Sequence, residues 1–136
     1  MATVQTGKRR ILIVDDEPAV LALLRRILST EDAEILAVRT GAQALEIARR
    51  THLDLVMLDV RLPDVSGMEV LRRVREVDEV VPVIMMTSHG SAETVRASMR
   101  LGAFDYLTKP FDNQEVKRIA REAMTSRAHR LVPSET

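Results

Sequence analysis

Four short clusters of polar residues in this chain carry groups that can do chemistry together. Asp15, Asp16 and Glu17 follow the apolar run 11–14, and Asp59 follows the run 55–58. Thr87 and Ser88 follow 83–86, and Thr108, Lys109 and Pro110 follow 103–107. The runs read as buried strands, so each cluster stands where a strand emerges. Carboxylates about 4 Å apart at an effective dielectric of roughly 20 repel by about 4 kcal/mol, so Asp15, Asp16 and Asp59 cannot share a pocket uncompensated. Lys109 supplies one positive charge, and an oxygen-only donor set with room for water and phosphate oxygens is what magnesium prefers. The Thr87 hydroxyl and the Lys109 ammonium suit phosphoryl oxygens. In that setting Asp59 is a nucleophile that forms an aspartyl phosphate, chemistry that depends on positioning and charge neutralisation. The loop after it, turned by Pro63 and Gly67, can offer the cation a backbone carbonyl.

Short apolar runs alternate with helical patterns, and this alternation supplies the scaffold. Residues 11–14, 34–38, 55–58, 83–86 and 103–107 are strand-like in length and β-branched content. A first helix follows Pro18 and turns Val20, Leu23, Leu24, Ile27 and Leu28 inward. Thr40 with Gln43, and Ser66 with Glu69, have capping-box spacing at the starts of a second and a third helix. The second buries Ala44, Leu45 and Ala48; the third buries Val70, Leu71, Val74 and Val77. A fourth, 91–100, shows only Ala92, Val95 and Met99 as a thin apolar stripe before Gly102 and should be the most weakly held. A fifth begins near Asp112 and turns Val116, Ile119, Ala120 and Ala123 inward. Five consecutive strand-helix units predict an α/β fold, a doubly wound parallel sheet of five strands with five helices covering both faces. Ligands in such sheets bind at the carboxyl ends of the strands, where the strand order reverses. Residues 1–8 read as a flexible N-terminus, 9–125 as one domain and 126–136 as a tail or truncated linker.

Bulk composition narrows the partners. The chain has 136 residues, with 20 Lys and Arg against 20 Asp and Glu, so no net field holds nucleic acid or an anionic membrane. The absence of cysteine removes disulfides, thiolate metal sites and thiol nucleophiles. The aromatics Phe104, Tyr106 and Phe111 cluster and form no platform for stacking bases. No apolar run approaches a membrane span, and residues 1–10 lack the apolar centre of a signal peptide. A cytoplasmic protein with no membrane partner and no direct nucleic-acid binding is expected.

The stretches ILIVDDEP, DLVMLDVRLPDVSGME, VIMMTSHGS and GAFDYLTKPF, in this order and at these separations, resemble the receiver domains of two-component response regulators over residues 9–123. The resemblance implies a flavodoxin-like, CheY-like sheet with strand order 2-1-3-4-5. It implies that Asp59 accepts a phosphoryl group from a phosphohistidine on a sensor histidine kinase or a phosphotransfer protein, with Mg2+ as cofactor and Mn2+ as an alternative. Asp16 matches the direct metal ligand, Asp15 its neighbour acting through water, and Arg61 the position whose backbone carbonyl is a ligand. Thr87 and Lys109 match the hydroxyl and the lysine that contact the phosphoryl group. Tyr106 matches the aromatic switch, which moves with Thr87 and remodels the face made by the fourth helix, fifth strand and fifth helix. That face would meet an output domain or downstream protein, and an activation-linked homodimer is a further candidate partner. Arg61 and His89 match positions that tune the lifetime of the phosphoryl group, and the Lys109 to Pro110 bond is commonly cis in such domains.

Each residue taken singly has a plainer reading. Asp15, Asp16 and Glu17 suit an acidic helix start, Asp59 a strand-ending cap, Lys109 a solvated charge, and Thr87 the cap of a turn. Tyr106 is by default a half-buried strand residue, and Met85 and Met86 read as strand core. His52 and His129 read as surface residues, and the pairs Arg25 and Arg26, Arg49 and Arg50, and Arg72 and Arg73 as solvated helix faces. An enzymatic rival, the haloacid-dehalogenase-type phosphatases, places a second aspartate two residues after the nucleophile, where this chain has Arg61. The reading favoured here is therefore a phosphoacceptor that assists its own phosphorylation and dephosphorylation.

Overall fold

The computed structural model describes residues 8–29, 32–88 and 90–131, of which 127–131 are described by backbone alone. The elements run β1 (Arg9–Val14), α1 (Pro18–Leu28), β2 (Ala33–Val38), α2 (Gly41–Arg50), β3 (Leu55–Asp59), α3 (Gly67–Val77), β4 (Val83–Thr87), α4 (Ala92–Arg100), β5 (Asp105–Thr108) and α5 (Asn113–Leu131). The five strands form one sheet in the order β2-β1-β3-β4-β5, and every neighbouring pair is parallel. This is the doubly wound α/β fold expected from the alternation of elements.

Alternation along the central strands divides the interior into two cores. Ile11, Ile13, Leu55, Met57, Ile84 and Met86 face α1 and α5, where Leu24, Leu28, Val116 and Ala120 complete one cluster. Leu12, Val14, Val56, Leu58, Val83 and Met85 face the other way, against Ala44 and Leu45 of α2 and Val70, Leu71 and Val74 of α3. Strands covered on both sides need no polar face, which is why β3 and β4 are buried along their whole length. The chain leaves β1 for β2 on one side and then crosses to β3, β4 and β5 on the other. The order therefore reverses between β1 and β3, and the last residues of those two strands flank the crevice that such a reversal opens.

Several local expectations need correction. The inward stripe of α1 includes Leu21 as well as Leu24, Ile27 and Leu28, while Val20 and Leu23 lie half-buried at its margin. At α2 the capping box forms as the spacing predicts, with Thr40 accepting from the Gln43 amide and Gln43 bonding back to Thr40. At α3 it does not: Ser66 caps the Met68 amide, and the Glu69 carboxylate is taken by Arg72 and Arg73 one turn on. Val77 ends that helix 46% exposed. The thin stripe of α4 is also differently placed. Met99 is 46% exposed, and the buried residue is Ser98, whose hydroxyl donates to the Thr94 carbonyl at 2.9 Å and lies 3.3 Å from Met68 Sδ on α3. β5 starts at Asp105, two residues later than the apolar run, and α5 continues as helix through the start of the expected tail to Leu131. Among the described residues no helix is long and apolar enough to cross a membrane.

Candidate functional site

The carboxyl edge of the sheet brings the clusters together because each follows a strand in register with its neighbours. Asp59 pairs with Met86 across β3 and β4, and Thr87 with Thr108 across β4 and β5. Asp16, Asp59, Arg61, Thr87, Ser88 and Lys109 line one cleft, with Asp15 directly beneath it. Asp15 is fully buried and Asp59 and Thr87 are each 6% exposed. Asp16 is half-buried.

Lys109 is the electrostatic centre. Its Nζ lies 2.7 Å from Asp15 Oδ2, donates to Asp59 Oδ2 at 3.1 Å, and reaches Glu17 Oε1 at 3.3 Å. Burial pulls its ammonium down, but the contacts to Asp15 and Asp59 outweigh that and hold it above the ordinary lysine range. Burial pushes the Asp15 carboxyl up, helped by the nearby Asp59 charge. The contact with Lys109 and the Glu17 amide, which donates to Asp15 Oδ1 at 2.9 Å, oppose it without cancelling it. The backbone of Lys109 is pinned too, its amide donating to the Thr87 carbonyl at 2.8 Å, and the following Lys109 to Pro110 bond is cis.

Asp59 is held from both sides. Its Oδ1 accepts from the Arg61 amide at 3.1 Å while Oδ2 accepts from Lys109. Behind it, the Gly67 amide donates to the Val60 carbonyl at 2.8 Å, and a Cβ on Gly67 would stand 2.0 Å from the Asp59 carbonyl oxygen. Only glycine lets α3 start this close to the strand end.

One oxygen from each of Asp15, Asp16 and Glu17 lies within 4.8 Å of the others. Asp15 Oδ2, although ion-paired with Lys109, receives no well-directed hydrogen bond. An all-oxygen set with more carboxylates than ammonium groups and a buried acceptor left under-satisfied fits a hard divalent cation such as magnesium, and suits manganese by the same chemistry.

Tyr106 is half-buried, as its strand position predicts, and its phenol lies against Gly90 in the β4–α4 loop: a Cβ there would fall 1.8 Å from the Tyr106 hydroxyl oxygen. Met85 and Met86 are fully buried core, and exposed His52 pairs with Asp54 at 3.5 Å. His89 lies outside the described residues, as does the side chain of His129. Sequence reasoning passed over Glu17 as a partner of Lys109 and Gly90 as the seat of the Tyr106 ring. The adjacency of Glu17 to Asp16 was a visible signal for the first; nothing local announced the second.

Residues 11–121 match the family model of the response regulator receiver domain. The chain is 37% identical over 108 residues to sporulation initiation phosphotransferase F of Bacillus subtilis, covering 79% of this chain and 87% of that protein. It is 37% identical over 119 residues to the regulatory protein AtoC of Escherichia coli, covering 88% of this chain but only 26% of that protein, so it spans about a quarter of that longer relative. Its fold superposes with a TM-score of 0.80 on the receiver domain of a Pseudomonas aeruginosa sensor histidine kinase. That structure has a magnesium ion coordinated in its active-site cleft; identity is 29%, with 89% of this chain and 100% of that one covered. The family match extends from within β1 into α5 and takes in every strand end that lines the cleft, and on that ground the chain belongs to the receiver domains of two-component response regulators.

Proposed function

We propose that Asp59 accepts a phosphoryl group from a phosphohistidine of a sensor histidine kinase or phosphotransfer protein. A carboxylate oxygen of Asp59 attacks phosphorus as the phosphorus–nitrogen bond breaks, the nitrogen keeping the bonding pair. Lys109 and the Thr87 hydroxyl donate to the phosphoryl oxygens, and Asp15, Asp16, Asp59 and the Arg61 carbonyl hold Mg2+, with Mn2+ as an alternative. When bound, the ion offsets the negative charge that gathers as phosphate meets carboxylate. The observation that carries this reading is the Lys109 ammonium between Asp15 and Asp59, in a cleft that Asp16 and Thr87 also line. The relative with coordinated magnesium supports the choice of ion.

The signal leaves through the α4-β5-α5 face toward an output domain or a downstream protein, with activation-linked homodimerisation as one form of response. Thr87 and Tyr106 act as the switch, and α4, with Ser98 as its buried residue, is the element with least packing to resist movement. Going from 1:99 to 99:1 requires about 5.5 kcal/mol of differential binding by the phosphorylated site. Arg61 and His89 stand two residues beyond Asp59 and Thr87 in the sequence and tune the lifetime of the phosphoryl group, and the reaction takes place in the cytoplasm.

Incubation with Mg2+ and a small phosphodonor, followed by intact mass, tests the core of this reading. Wild type should gain one phosphoryl group and Asp59→Asn none; equal labelling of the two would rule Asp59 out as the acceptor.

A further inference from the structure

We propose that the β2–α2 junction, residues 39–42, braces both loops that supply the cation ligands, with Arg39 and Asp64 as its positioning residues. This rests on the reading of Asp15, Asp16 and the Arg61 carbonyl as ligands. The junction contributes no side chain to the cleft, yet it grips the cleft from two sides. On one side the Arg39 guanidinium donates through Nε at 3.2 Å and Nη2 at 2.9 Å to a single acceptor, the Asp16 carbonyl oxygen on the β1–α1 loop. On the other, the Asp64 carboxylate accepts from the Gly41 amide at 2.9 Å and from the Ala42 amide at 2.9 Å, and Asp64 stands three residues beyond Arg61 on the β3–α3 loop.

The junction is itself stiff. Gln43 Oε1 accepts from the Arg39 amide at 3.1 Å and the Thr40 amide at 3.2 Å, while Thr40 Oγ1 accepts from the Gln43 amide at 3.1 Å. Gly41 also brings the β3–α3 loop into direct contact, since a Cβ there would fall 2.3 Å from Val65 Cγ1. Two loops that are far apart in sequence are thus referred to one rigid corner. The cost of distorting either is borne by hydrogen bonds outside the cleft, which is how supporting contacts set the affinity of an ion site.

A merely structural role predicts a loss of stability and nothing more; the brace predicts a loss of ion affinity. Mg2+ titration followed by backbone amide chemical shifts, with thermal unfolding measured alongside, separates the two. Arg39→Ala and Asp64→Ala should each weaken Mg2+ binding by about 10-fold, the low end for outer partners of a metal site. Arg39→Lys, which loses the two-pronged grip, should behave like Arg39→Ala, whereas Asp64→Asn, which keeps one acceptor, should recover part of the affinity. Arg118→Ala, which removes an ion pair to Glu122 on α5, should leave the affinity at the wild-type value. An affinity within twofold of wild type in Arg39→Lys would overturn the brace, whether or not the alanine variants fold. Wild type that binds no Mg2+ would overturn the ligand reading and the brace with it. Wild type that binds Mg2+ while Asp59→Asn still takes up phosphoryl would sink the proposed acceptor and leave the brace standing.

Discussion

The Lys109 ammonium lies within 3.3 Å of oxygens from Asp15, Asp59 and Glu17, so its removal strands a fully buried carboxylate beside a second one. Breaking a buried pair in this way costs about 3–5 kcal/mol, more than the pair itself contributes, because the remaining charge has lost its counter-ion and gained no water. Lys109→Met should therefore unfold at markedly lower urea concentration near neutral pH. The sign with pH follows from Asp15. Its carboxyl is already raised, so the ionised form costs stability above its folded-state value, and the cost is relieved as pH falls through that value. Without Lys109 the carboxyl rises further, and the gap between variant and wild type should narrow as pH falls from neutral toward the ordinary aspartate value of 3.8. Added Mg2+ should restore more stability to Lys109→Met than to wild type, since only the variant lacks a resident cation. A gap that stays constant with pH would mean that Lys109 acts by packing and not by charge.

Among the elements, α3 shows how one side chain chooses between two local roles. Glu69 has the spacing to complete a capping box with Ser66, but Arg72 and Arg73 lie three and four residues on, along the same face. Three charge-assisted bonds from two arginines outcompete one neutral amide, and they hold the Glu69 carboxyl well down, from 4.5 to about 2. A lowered carboxyl stabilises the fold above its unfolded value and loses that contribution as pH falls through the folded one. Glu69→Gln should thus melt below wild type at neutral pH, and the difference, small for so exposed a group, should vanish between about pH 4.5 and 2. Thermal melts of both proteins across that range check it. By contrast α4 buries a serine that bonds its own helix, while Val95 is only half-buried and Met99 is exposed. Few contacts oppose its displacement.

For the molecule as a whole, the sheet is the shared wall of two cores. Met57 and Leu58 are neighbours in β3, both fully buried, with their side chains in opposite clusters. Met57→Ala and Leu58→Ala should each cost about 2–5 kcal/mol through lost burial and the cavity left behind. Urea unfolding followed by circular dichroism should still show one transition in each variant, because neither core can melt without releasing the strands that wall the other. Two separated transitions in either variant would show the cores to be independent.

The number and type of the elements, the sheet class and the residues at the strand ends were legible in the chain itself. Apolar runs and helical periodicity are local signals, and Asp15, Asp16, Asp59, Thr87 and Lys109 each follow such a run. Thr40 and Gln43 announced their own cap for the same reason. What a neighbour does to a neighbour across the fold was not legible. Burial of Ser98 in place of Met99, the turn of Glu17 toward Lys109, the seat of the Tyr106 ring on Gly90, and the hold of Arg39 and Asp64 on their loops all depend on groups many residues away or on competition between partners. Periodicity decides what forms locally, but hydrogen bonds and charge pairs between distant segments exist only once the sheet has closed and brought its strand ends to one edge.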